Sequence, residues 1–198
     1  MKRLLPYIAL SLFVCQMLLM LVSWLLSAAF PVSSIRSLLS GGGLRWLLGH
    51  YADALASPVL VWLVLGALAY GCLRKSCLLQ FGNTYRESRA RLLTLILLVA
   101  YIVVMLLFTV TPHAVLLSVT GDLWPSPFSA SLVPVMAFVV MSLSVFYGVV
   151  AGRLSTLHSI YDAMLYGIGQ CAPLLLFYVL FMQIYESLKF VFPENPYF

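Results

Sequence analysis

Long apolar runs separated by short polar segments dominate the chain. Five runs reach the ~20 residues that a helix needs to cross a hydrocarbon core about 30 Å thick, because a helix rises ~1.5 Å per residue. The pattern therefore predicts an all-α integral membrane protein with about five transmembrane helices in one domain, residues 1–198. The second span is the shortest, and a tilted or re-entrant helix is the alternative there. The predicted spans are Leu4–Phe30, Ala54–Leu73, Leu92–Thr111, Leu132–Gly152 and Ala163–Leu188.

The segment between the first two spans has a helical period of its own. Apolar residues recur there at the spacing of one helix face, and its aromatic residues are of the type that favours the headgroup layer. We predict an amphipathic interfacial helix in this first outer loop. A short helix over Ile35–Leu39 is expected before it, ended by Gly41–Gly43, which redirect the chain. The candidate interface or packing residues of the amphipathic helix are Leu44, Trp46, Leu47, Leu48 and Tyr51.

Composition and charge exclude a soluble fold and indicate an orientation. Hydrophobic residues make up 63% of the chain and charged residues 9%, which is more apolar surface than a soluble domain can hide. Eight basic residues lie on the side of the N-terminus and three on the other, so the positive-inside rule predicts a multi-pass protein with its N-terminus inside and its C-terminus outside. The expected location is the bacterial inner membrane. The inner residues are Lys2, Arg3, Arg74, Lys75, Arg86, Arg89, Arg91 and Arg153, and the outer ones Arg36, Arg45 and Lys189.

The net charge of +5 then reflects topology and contact with anionic lipid. No nucleic-acid-binding motif is present, so the expected partners are the lipid bilayer and other membrane helices. The residues also form no nucleophile–base or metal constellation, and we expect neither enzymatic activity nor a cofactor. His50, His113 and His158 are predicted at different depths, which argues against a shared metal site.

His158 and Asp162 lie four residues apart on one predicted helix face. They are a weak candidate for a proton pair. The favoured interpretation is a solvated helix start, where an aspartate is stabilised by the positive end of the helix dipole. Within the last span, Gln170 and Gln183 are the main polar residues, and interhelical hydrogen bonding is favoured over substrate binding for both.

Three further local patterns give specific predictions. A small-residue face suited to close helix packing is formed by Tyr147, Gly148 and Gly152. Ser126-Pro127 matches an N-cap followed by proline at the first helical position. Glu87 could pair with Arg91, four residues on, at the start of the third span.

Several segments share their order and spacing with a known family. The first two are SLLSGGGLRWLL at Ser37–Leu48 and the SPVLVWLVLGALAYG that begins at Ser57. The later ones are Arg89–Arg91 entering the third span, SPFSASLVP at Ser126–Pro134, Phe146-Tyr147-Gly148 with Gly152, Asp162, and FMQIYESLKF at Phe181–Phe190. Together they resemble parts of the AbgT family of p-aminobenzoyl-glutamate and antimetabolite transporters.

The resemblance implies a truncated, scaffold-only homologue. Members of the family are much longer, and the hairpins and helices that form their mobile transport domain have no counterpart in this sequence. Because the family's substrate and ion contacts lie in that domain, no binding residue can be carried over. We therefore expect a non-catalytic scaffold or accessory subunit, acting as a homodimer or with other integral membrane subunits. The alternative is a small or half-transporter for folate-like or other small organic molecules.

Overall fold

The computed structural model describes residues 4–30, 35–80, 84–110 and 127–192, and all regular structure in these ranges is helical. Among the helices in these ranges, five are long and apolar enough to cross a membrane: the first and the fourth to the seventh. This confirms the predicted all-α membrane fold. The helices are α1 (Leu5–Ala29), α2 (Gly41–Gly49), α3 (Tyr51–Leu55), α4 (Pro58–Ser76), α5 (Tyr85–Val110), α6 (Pro127–Ala151) and α7 (Leu157–Val191).

The ends of the long helices differ from the predicted spans. Helix α4 begins at Pro58 rather than Ala54, since proline suits the first helical position, where its missing N–H is not needed. Helices α5 and α7 extend beyond their apolar runs into polar sequence. Hydropathy detects only the part of a helix that matches lipid, whereas backbone hydrogen bonding continues into the polar ends.

The predicted short helix at Ile35–Leu39 is wrong. This segment is not helical, because its backbone bonds to other elements: the N–H of Arg36 donates to the carbonyl of Val191 (3.2 Å), and that of Leu38 to Ser23 Oγ (3.2 Å). The glycines do not end a helix but form the first turn of α2. Ser40 caps that turn by accepting a hydrogen bond from the Gly43 N–H (3.0 Å).

The predicted amphipathic helix is divided into two short helices, since α2 ends at Gly49 and α3 begins at Tyr51.

Helix α6 begins at Pro127, as predicted, and continues through Pro134. Other predictions fall outside the described residues: those on Lys2, Arg3, His113 and Ser126.

The chain separates into two compact units. Unit 1 comprises Met1–Leu60 and Pro173–Phe198, and unit 2 comprises Val61–Ala172. Helix α7 passes from unit 2 into unit 1 at Pro173, a proline inside the helix. Compact units of this kind are not by themselves separate folding domains, so the single transmembrane domain over residues 1–198 stays a prediction.

Candidate functional site

Two helices of unit 2 meet through glycine with their backbones in direct contact. A Cβ placed on Gly167 of α7 would collide with the Ala67 carbonyl oxygen of α4 and lie 2.8 Å from the Gly71 Cα. A Cβ on Gly71 would collide with the Ala163 carbonyl oxygen and lie 2.6 Å from the Gly167 nitrogen. This is the close approach that small residues four apart permit between membrane helices.

Sequence reasoning did not identify this crossing. The signal was present as two matching pairs, Ala67 with Gly71 and Ala163 with Gly167, each a small-xxx-small pattern in an apolar helix. The predicted small-residue face lay elsewhere, at Tyr147, Gly148 and Gly152.

That predicted face is occupied by contacts within unit 2. The Tyr147 side chain is fully buried. A Cβ on Gly148 would lie 2.5 Å from Leu154 Cδ1, so the chain folds back over this glycine after α6. Gly152 has a φ of +78° and lies against the Arg86 guanidinium, which makes it the left-handed residue that ends the helix.

An ion pair joins the start of α5 to the segment after α6. Arg153 Nη2 donates to Glu87 Oε1 at 2.7 Å, and this hydrogen bond raises the pKa of Arg153. Arg86 Nε donates to the Val150 carbonyl at 3.1 Å. The hydrogen-bond partner of Glu87 is thus Arg153 rather than the predicted Arg91. The hydrogen bond to Arg153 and, to a lesser extent, the charge of Arg91 lower the pKa of Glu87. Arg91 Nη2 donates to Ser88 Oγ (3.3 Å).

His158 and Asp162 are in contact in the first turns of α7. The His158 Nδ1 and Asp162 Oδ2 atoms are 2.7 Å apart, and the two side chains are 81% and 55% exposed. Such an exposed pair is stabilised only weakly, which matches the solvated helix start better than a proton relay. Within the described ranges, no three His, Cys, Asp or Glu side chains are grouped so that they could hold a metal ion.

A buried polar contact links α1 to the last turns of α7 in unit 1. Gln16 Nε2 donates to Ser187 Oγ at 3.0 Å, and both side chains are buried. Gln16 was missed by sequence reasoning, although its position in the middle of an apolar run could have indicated it. Among the described residues, the Oε1 atoms of Gln16 and Gln183 have no hydrogen-bond partner. Gln170 is exposed on α7.

The segment between α1 and α4 contacts the end of α7 through aromatic and polar groups. Trp46 stacks on Phe190 with ring centroids 4.4 Å apart, and the Arg36 guanidinium lies 5.9 Å from the centroid of the same ring. The Tyr178 hydroxyl donates to the Leu55 carbonyl at 2.9 Å. These contacts hold the segment against α7 within unit 1.

The predicted amphipathic face is only partly used by these contacts. Trp46 and Leu47 are half-buried, whereas the remaining members are exposed, namely Leu44, Leu48 and Tyr51. The exposed members leave an apolar surface on α2 and α3 that is open to lipid or to another protein.

Comparison with known proteins found no matching family model, no matching curated protein and no matching solved structure. The AbgT resemblance therefore stays a hypothesis that rests on the sequence motifs. The structure shows a multi-pass membrane protein with close helix-to-helix contacts and outward-facing apolar surfaces.

Proposed function

We propose that the protein is a non-catalytic scaffold or accessory subunit of a complex in the bacterial inner membrane, similar to the static dimerisation scaffold of an AbgT-type transporter. Its N-terminus would lie inside and its C-terminus outside, an orientation supported by the excess of basic residues on the predicted inner side. Its partners would be a second copy or other integral membrane subunits.

The observation that carries this proposal is a close glycine crossing between two spans, combined with apolar span surfaces that are mostly exposed. Glycines are used where α4 and α7 touch inside unit 2. Away from this crossing the spans are largely exposed: in α1, α5 and also α7, only 11% of an apolar 18-residue window is buried. Small residues let two helix backbones pack closely, and outward-facing apolar helices can pack against further helices in the membrane. Both properties suit a fixed partner-binding element.

Copurification tests the proposal directly. We expect the full chain, extracted from native membranes in a mild detergent, to elute as a dimer or with a stoichiometric partner. Leu48→Lys should reduce that association by at least about fivefold, because a charge is introduced into the exposed apolar surface of α2, where a few residues dominate binding. Size-exclusion chromatography with light scattering measures the result.

Leu79→Lys is the matched control. Leu48 is 78% exposed and Leu79, in the turn after α4, is 72% exposed, so both substitutions add a charge without opening the core. We expect Leu79→Lys to behave as the wild type. Recovery of the wild-type protein only as a lone monomer, without any stoichiometric partner, would overturn the proposal.

A second candidate function is supported by the two buried amide oxygens of Gln16 and Gln183. Buried polar atoms without a partner are unusual, and in a membrane protein they can mark a substrate path. If the protein is instead a small or half-transporter, the purified chain in liposomes will show saturable uptake of a folate-like compound that Gln183→Leu abolishes. We expect no uptake above that of protein-free liposomes, as a scaffold requires.

A further inference from the structure

The first turns of α5 carry a groove with a charged end and an apolar end. Its volume is about 540 Å³, and we name it the Arg89 groove after its central residue. The described lining residues lie along one helix face, with the polar ones in the first turns and the leucines one turn further into the apolar run. They are Tyr85, Ser88, Arg89, Leu92 and Leu93.

The positive charge in this groove comes from Arg89. Within the part of the chain that the structure describes, no carboxylate pairs with Arg89, whose guanidinium carbon lies 4.6 Å from the ring centroid of Tyr85. The acid of the same turn, Glu87, is held by Arg153. A guanidinium stacked on a ring still presents its in-plane N–H groups, which match the oxygens of a phosphate.

The other end of the groove is apolar. Leu92 and Leu93 are exposed and lie within Tyr85–Leu107, the stretch of α5 that is long and apolar enough to span the membrane. Tyrosine at the helix start is typical of the headgroup layer. A ligand that fills the groove must therefore place an anionic group at Arg89 and a hydrocarbon chain along the two leucines.

We propose that the Arg89 groove binds an anionic glycerophospholipid, with the phosphate on Arg89 and an acyl chain along Leu92 and Leu93. The occupant follows from charge complementarity and from the change from polar to apolar along a single helix face. This site is independent of the scaffold role, since a lipid could occupy it in a monomer or in a complex.

Native mass spectrometry of the full-length protein from nanodiscs tests this site. The discs contain phosphatidylglycerol and phosphatidylcholine in equal amounts. We expect the wild type to retain phosphatidylglycerol preferentially, and Arg89→Gln to retain it about five- to tenfold less, the size expected for one arginine–phosphate contact at a membrane surface. Arg74→Gln, which removes an exposed charge outside the groove at the same end of the spans, should retain it like the wild type.

Four outcomes would overturn the proposal. They are equal retention of the two lipids by the wild type, unchanged phosphatidylglycerol retention by Arg89→Gln, an equal loss of retention in Arg74→Gln, and displacement of the lipid by excess inorganic phosphate. If Arg89→Gln changes the oligomeric state while lipid retention is unchanged, the groove is a protein contact instead. The scaffold test measures protein association through Leu48, whereas this test measures lipid retention at Arg89. The scaffold proposal and the lipid proposal can therefore fail separately.

Discussion

Gly167→Ala is expected to destabilise the protein by about 1–3 kcal/mol, the usual penalty for adding a methyl group to a tightly packed site. The added Cβ would meet the Ala67 carbonyl oxygen and the backbone of Gly71. Neither is a flexible side chain, so α4 and α7 would have to move apart. For a chain of this size, each kcal/mol corresponds to a fall of roughly 2–4 °C in the Tm measured in detergent.

Gly169→Ala provides a control on the same helix. A Cβ at Gly169 would meet nothing within 4 Å, and alanine favours a helix over glycine by up to about 1 kcal/mol. This variant should therefore melt at the same temperature as the wild type or above it. If the two alanine variants had the same Tm, the close crossing described here would be refuted, because helix propensity affects them equally.

The spans could be predicted from the sequence because lipid imposes one strict requirement. A segment that crosses the membrane must satisfy its backbone internally and present apolar side chains, so its length and hydropathy are visible without any tertiary information. The same reasoning could not place the start of α4 at Pro58 or extend α7 to Leu157 and Val191, since those ends depend on capping and on polar residues that hydropathy does not register.

The segment from Ile35 to Gly49 shows why local patterns are not sufficient. Its periodicity correctly indicates a short helix that contains Leu44 and Leu47. Local propensity predicts that its glycines break a helix, yet they form the first turn of α2 under the Ser40 cap. The extended stretch before them is held by α1 and by the end of α7, and such long-range bonds leave no trace in a local pattern.

Pairwise contacts were the least predictable part of the candidate site. His158 and Asp162 are four apart on one helix, and their contact follows from helix geometry alone. Glu87 had an equally local partner available in Arg91 but bonds to Arg153, because α5 packs against α6 within unit 2 and brings the two charges together. The contact of Gln16 with Ser187 likewise joins helices that are distant in sequence.

Tyr147 combines a fully buried ring with a hydroxyl that has no hydrogen-bond partner among the described residues. The ring and the hydroxyl should therefore contribute to stability with opposite signs. Burying the aromatic ring is favourable, and removing a buried aromatic side chain typically costs about 3–5 kcal/mol because a cavity remains. Burying an unpaired hydroxyl is unfavourable, since it loses its hydrogen bonds to water.

Two substitutions at this position separate these contributions. Tyr147→Ala should lower the free energy of unfolding by about 3–5 kcal/mol, whereas Tyr147→Phe should be at least as stable as the wild type, because it retains the ring and removes the unpaired hydroxyl. Unfolding of the detergent-solubilised protein, followed by circular dichroism, measures both. A Tyr147→Phe variant as unstable as Tyr147→Ala would contradict this account, since it would mean that the hydroxyl holds α6 in place through a bond of its own.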